Sequence, residues 1–237
     1  MNLTQDFKSF ETKAGFKLYD VFLAAFVAVL LLSNIIAVKL ISIGPIVLTA
    51  AVFMFPLSYI FGDVLTEVYG YAGSRRIIWL GFGANILMVL AFLMAIVLPH
   101  PVFWGDQKAF VAILGAVPRI VVASLIAYWA GEFINSYILA KMKEWMIKWD
   151  PESKHLWMRT IGSTLAGQAV DSFLFVLIGF SFSMPWAPLF MMVIWQWVFK
   201  CAIEVLFTPL TYLIVGKVKK VEGLDVVGSA TYTPLKF

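Results

Sequence analysis

Seven ionisable residues of this chain stand inside stretches otherwise apolar enough to cross a bilayer: Asp63, Glu67, Arg119, Glu132, Asp171, Lys200 and Glu204. A charge held in hydrocarbon costs about 2.5–3.5 kcal/mol even on the most lenient insertion scale. Such residues normally face a bundle interior or a hydrated space, pair with one another, and mark a binding site or pathway. They also recur at helical spacing. Tyr59, Asp63 and Glu67 fall at i, i+4 and i+8, Gln196, Lys200 and Glu204 repeat the interval, and Asp171 follows Ser163 and Gly167 in the same rhythm. Each set shares one helix face. A further polar stripe carries Ser124, Tyr128, Glu132 and Asn135, with Arg119 ahead of it. Asn34 interrupts the first apolar run, and Gln168 precedes Asp171 by three positions.

Several of these residues have a plain structural reading beside the functional one. Glu67 could pair with Arg75 or Arg76 at the membrane surface, and Lys200 with Glu204 on its own helix or with Asp171 on the next. Arg119 could snorkel outward or neutralise a buried carboxylate. Ser163 and Gly167 form a small-xxx-small pattern that permits close helix approach. Asp171 and Gln168 fall near the estimated midplane, where packing alone explains them poorly. Five carboxylates within the spans (Asp63, Glu67, Glu132, Asp171, Glu204) stand against three bases (Lys39, Arg119, Lys200). That balance favours a neutral or cationic guest over an anion.

Enzyme chemistry finds little support. There is no GxxxxGK[ST] phosphate loop and no HExxH metal pair. Phe61-Gly62-Asp63-Val64 and Ala169-Val170-Asp171-Ser172 do not make the usual motif pair of an intramembrane aspartyl protease. The single cysteine, Cys201, excludes an intramolecular disulfide and a Cys-rich metal site, and His100 and His155 fall in predicted loops. Neither a cofactor nor a metal is expected.

The elements that must position these side chains follow from composition. Of 237 residues, 62% are hydrophobic and 14% charged, with a mean hydropathy of +0.90. A soluble domain is typically near 45–50% apolar and about 25% charged. From Ile77 to Leu98 there are 22 residues without one Asp, Glu, Lys or Arg, about 33 Å of helix against a bilayer core of about 30 Å. The pattern predicts an all-α membrane protein, a bundle of six transmembrane helices over roughly 18–41, 47–70, 76–98, 108–140, 158–183 and 188–216. The fourth exceeds what a bilayer needs, so it is expected to tilt or project. Residues 1–17 and 217–237 read as tails flanking one transport domain, 18–216. No cleavable signal peptide is expected, because the first apolar run is too long for one.

Basic residues set the orientation. The N-terminal tail, Arg75-Arg76, the 141–159 connection and the C-terminal tail together hold 14 of the 18 Lys and Arg residues, whereas the opposite side has Lys108 alone. By the positive-inside rule, both N and C termini are cytoplasmic. The net charge of +4 is thus a topology signal, and no nucleic-acid partner is implied.

At these residues the chain resembles the queuosine precursor transporter family, grouped with vitamin-uptake-type membrane proteins. The resemblance rests on Phe55-Pro56 to Asp63 followed by Arg75-Arg76, on Ser163-Thr164-Leu165-Ala166-Gly167 to Asp171-Ser172, and on Phe199-Lys200 followed by Pro209. It covers roughly residues 18–220. It implies a multi-pass protein of the cytoplasmic membrane that imports 7-deazaguanines such as preQ0 and preQ1 for salvage into tRNA queuosine. A deazaguanine offers adjacent N–H donors that a carboxylate can accept together. Asn34, Asp63, Ser124, Tyr128, Gln168, Asp171 and Lys200 are then the candidate substrate-binding residues. Glu67, Arg119, Glu132 and Glu204 form a candidate charge network. Transport of another vitamin or nucleobase stays open, as do a homo-oligomer and dependence on a separate energising complex.

Overall fold

The computed structural model describes residues 17–146 and 156–223. Most of the expected tails and of the basic 147–155 connection therefore lie outside the described residues. The chain runs α1 (Tyr19–Ile36), β1 (Leu40–Ile43), β2 (Ile46–Thr49), a 3-10 turn (Ala50–Phe53), α2 (Phe55–Val97), α3 (Gln107–Leu114), α4 (Val117–Met146), α5 (Leu156–Phe180) and α6 (Trp186–Glu222). Five stretches among the described residues are long and apolar enough to cross a membrane: Tyr19–Ile36, Arg76–Val97, Gln107–Asn135, Ile161–Phe180 and Trp186–Glu222. Large apolar side chains such as Leu87, Val97, Val205 and Leu206 point outward and are exposed. Water would penalise that surface, and lipid tails would not. The protein is a mostly helical, multi-pass membrane protein.

Three boundaries differ from the sequence reading. The first difference is a β-hairpin between the expected first and second spans. Ile43 pairs with Ile46 across the Gly44-Pro45 turn, and Gly44 takes φ +60, which glycine adopts without a Cβ clash. The second is at the fourth span, which divides at Gly115-Ala116 into α3 and α4. Pro118, in the first turn of α4, has no N–H to carry the preceding helix onward.

The third is α2, whose 43 residues take in the expected second and third spans and the Arg75-Arg76 connection. This helix cannot be straight. The Ala50 N–H donates to the Lys39 carbonyl at 2.8 Å, and Asn34 Nδ2 donates to Asn85 Oδ1 at 2.8 Å. Residues 50 and 85 therefore both sit at the C-terminal end of α1, within about 20 Å of each other. A straight run from Phe55 to Asn85 would be about 45 Å, and residues 50–55 can recover at most about 17 Å. The helical run doubles back, and both limbs meet Tyr19. The Tyr69 ring lies edge-on to Tyr19 at 5.0 Å, and Tyr19 Oη donates to the Gly73 carbonyl at 3.2 Å.

Glu222, at the far end of α6, fastens the same end of the bundle. One carboxylate oxygen accepts the Leu18 N–H at 2.7 Å and the Tyr69 hydroxyl at 2.8 Å. The other accepts the Lys17 N–H at 3.1 Å. Free N–H groups at the start of α1 attract an acidic partner, here supplied from more than 200 residues away. Beside it, Ile60, Val64, Val68, Val215 and Val218 form an apolar cluster joining α2 to α6.

Helices α4 and α5 lie antiparallel and press backbone to backbone. A Cβ on Gly131 would stand 2.9 Å from both the Gly167 carbonyl and Asp171 Cβ. One on Gly167 would stand 2.8 Å from the Gly131 carbonyl and Asn135 Cβ. Only glycine allows that approach, and the contact sets where Asp171 sits relative to α4. Helix α6 then folds back along α5 through the Ser181–Pro185 link, with Trp197 Nε1 donating to the Leu165 carbonyl at 3.0 Å.

Replacing Gly131 or Gly167 with leucine should separate α4 from α5. Overpacking of this kind costs about 1–3 kcal/mol or more, so the purified variants should melt well below the parent. Gly83→Ala is the control, because nothing lies within 4 Å of the Cβ it would add. Equal thermal stability of all three variants would contradict the tight crossing.

Candidate functional site

The residues with the most chemical potential meet between α5 and α6. Lys200 Nζ donates to Asp171 Oδ2, an ion pair joining two helices through the middle of the bundle. Lys200 comes from α6, whose inward face also carries Leu189, Met192, Gln196 and Ile203, all buried. Asp171 comes from α5, fixed laterally by the Gly131–Gly167 contact. The lysine side chain is 5% exposed and that of the aspartate 20%, so the cation is sealed in while the carboxylate stays reachable. Nζ also stands 5.9 Å from the centroid of the Phe175 ring, one helical turn beyond Asp171. An aromatic face adds a cation–π attraction to the lysine's surroundings.

Helices α4, α5 and α6 also carry polar atoms that are buried and have no hydrogen-bond partner among the described residues: Asn135 Oδ1, Ser172 Oγ, Trp195 Nε1 and Gln196 Oε1. Asn135 is placed by the Gly167 crossing, Ser172 adjoins Asp171, and Gln196 precedes Lys200 by one turn. Leaving such a group unmade costs about 1–3 kcal/mol. Their gathering along α4, α5 and α6 is what a ligand-accepting region requires. Gln168, half-buried on α5, sits one turn before Asp171 and Ser172.

Other sequence candidates are placed elsewhere. Asn34 is buried against α2, where Asn85 completes the link by donating Nδ2 to the Gly81 carbonyl at 2.9 Å. Its amide therefore holds α1 to α2. Tyr128 is partly exposed, with its ring edge-on to Phe82 of α2 at 6.0 Å, one turn from Asn85. Ser124 is half-buried on α4, and Glu204 half-buried one turn after Lys200. The side chains of Asp63, Glu67 and Glu132 lie outside the described residues.

The described hydrogen bonds of Arg119 go to a helix end. Its Nε donates to the Ile178 carbonyl at 2.7 Å, Nη2 to the Ser181 carbonyl at 2.5 Å, and Nη1 to Ser183 Oγ at 3.3 Å. The last carbonyls of α5 have no intrahelical donors and carry partial negative charge, so the guanidinium caps them.

Two participants escaped the sequence reading as site residues. Gln196 was visible as part of the i, i+4, i+8 stripe, and its helix face was the available signal. Thr49 gave none. It lies at the end of β2, fully buried, and its Oγ1 accepts from Gln196 Nε2 at 3.3 Å.

Comparison with known proteins finds transporters. Residues 49–214 match the family model described as a putative vitamin uptake transporter. A probable queuosine precursor transporter of Bacillus subtilis is 29% identical over 185 residues, covering 76% of this chain and 77% of that protein. The queuosine precursor transporter of Escherichia coli is 26% identical over 135 residues, covering 56% of this chain and 55% of its own length. No solved structure matches the chain.

Breaking the ion pair from one side should be costly. Lys200→Met leaves a carboxylate facing apolar neighbours, a loss of about 3–5 kcal/mol. The double variant Lys200→Met/Asp171→Asn should recover much of it. Thermal melts of the single and double variants, read as a double-mutant cycle, measure the coupling; additive losses would mean that the two side chains do not interact.

Proposed function

This chain belongs to the putative vitamin uptake transporter family, and on that premise we propose that it imports a queuosine precursor of the 7-deazaguanine class, such as preQ0 or preQ1. The names of two relatives support the cargo. The Lys200–Asp171 pair is the observation that carries the reading. The aspartate is bonded to the lysine yet stays reachable enough to accept N–H donors from a flat heterocycle. The pair is neutral overall, which suits a neutral guest.

The same contact suggests how occupancy could drive alternating access. A ligand that donates to Asp171 competes with Lys200 for the carboxylate, so binding changes the strength of the α5–α6 contact. A guest shifts a conformational equilibrium only through such a difference in affinity between states. Gln168, Ser172 and Asn135 would complete the polar lining, with Phe175 as an aromatic wall. Asp63, Ser124 and Tyr128 are retained as contacts from α2 and α4.

In this proposal the protein crosses the cytoplasmic membrane six times as one transport domain, 18–216, with both termini inside. The reversal of α2 supports two crossings from that helix. Lys17, the reversal and Glu222 lie at one end of the bundle. The antiparallel order of α4, α5 and α6 puts Met146 and Leu156 toward that same end, which supports a common side for the basic segments.

In a cell unable to make queuosine or take up its precursors, expression of this chain should restore queuosine in tRNA at low external precursor. Asp171→Asn should cut recovery about tenfold or more at equal expression. No recovery with abundant membrane protein would refute the cargo, and full activity of the variant would refute the role of Asp171. Reporter fusions at either terminus should report a cytoplasmic position; a periplasmic signal from one alone would exclude an even number of crossings.

A further inference from the structure

Thr49 and Gln196 form a pair whose hydrogen-bonding capacity is only half used. Both are fully buried. Gln196 Nε2 donates to Thr49 Oγ1 at 3.3 Å, which leaves Gln196 Oε1 as an acceptor without a partner among the described residues. Because Thr49 Oγ1 already accepts, its hydroxyl proton is available to be given away. One unmade acceptor and one available donor are thus held side by side, one helical turn from Lys200. The unpartnered Trp195 Nε1 lies on α6 next to Gln196 in sequence, and the unpartnered Ser172 Oγ lies on α5.

The backbone around Thr49 leaves the helical pattern. Thr49 ends a strand, and Ala50 begins a 3-10 turn. In a membrane protein, backbone that is neither helix nor barrel is tolerated where protein buries it or where it lines a hydrated space. Here β2 packs on α6, with Leu48 and Thr49 buried. The hairpin carries one hydroxyl into the helix bundle, and that hydroxyl meets the amide.

We propose that Thr49 and Gln196 are the specificity element of the transport site, and that they read the lactam edge of a planar heterocycle. Gln196 Oε1 accepts the ring N–H, and the Thr49 hydroxyl donates to the adjacent carbonyl oxygen. An acceptor beside a donor complements a donor beside an acceptor, and it mismatches a ring that bears an amino group in place of the oxo group. Asp171 supplies charge-assisted acceptance of further N–H groups, and the neutral pair supplies discrimination. A site built to hydrogen-bond a polar group rejects the analogue lacking it, because its own buried groups are then left unpaired. This inference rests on the importer reading above and adds the residues that select the cargo.

The test uses the full chain in lipid nanodiscs with three probes: 7-deazaguanine, its 6-O-methyl analogue, which has neither the ring N–H nor the free carbonyl, and 7-deazaadenine. The parent protein should prefer 7-deazaguanine over both others by about tenfold or more. In Gln196→Met and in Thr49→Val, that preference should shrink to about twofold. Affinity for the methylated probe should stay near the parental value, while each variant should remain folded and melt below the parent because the Gln196–Thr49 bond is lost. Undiminished preference in stable variants would overturn the specificity element and leave the importer reading standing. A parent that binds none of the probes would overturn both. If Gln196→Met does not fold, the isosteric Thr49→Val decides alone.

Discussion

An ion pair held inside a lipid-facing bundle constrains this protein more than any other contact. A lone charge is costly inside such a bundle, and the bonded pair requires the helices that carry Lys200 and Asp171 to stay close. Replacing such a pair with packed apolar side chains is often neutral or stabilising. Stability is therefore a weak reason for its presence. What the pair provides is a reachable carboxylate and a link between two helices that a competing donor can loosen.

Two devices at different heights hold the frame in which that pair forms. At mid-bundle, Gly131 and Gly167 let α4 and α5 approach until backbone meets backbone, fixing Asp171 and Asn135. At one end, Glu222 gathers the start of α1, Tyr69 of α2 and the end of α6. The first is close packing, effective in lipid because it needs no hydrophobic driving force. The second is hydrogen bonding to N–H groups that a helix start leaves unmet. Between them, Asn34 and Asn85 tie α1 to the returning limb of α2 through a buried amide link.

Polar satisfaction is uneven among the described residues. Arg119 uses three nitrogens to meet the end of α5. Asn85 is bonded on both sides of its amide. By contrast, Ser172 Oγ, Trp195 Nε1 and Gln196 Oε1 are buried and unmet among the described residues, on the two helices that carry the ion pair. Unmet buried polar groups are costly, and the proposed guest is what would meet them.

Local pattern decided much of this protein. The apolar runs, their lengths and the helical spacing of Gln196, Lys200 and Glu204 marked out which segments meet lipid and which faces turn inward. Those properties depend on neighbours within a few residues, so they can be read along the chain. The tertiary structure decided the partners. That Lys200 reaches Asp171, that Arg119 caps a helix, that α2 doubles back against α1, and that Thr49 enters the bundle on a hairpin all depend on which helix lies beside which. Two lysine partners one helical turn apart or one helix apart look the same to a periodicity, because its spacing describes a single helix and not the distance to the next.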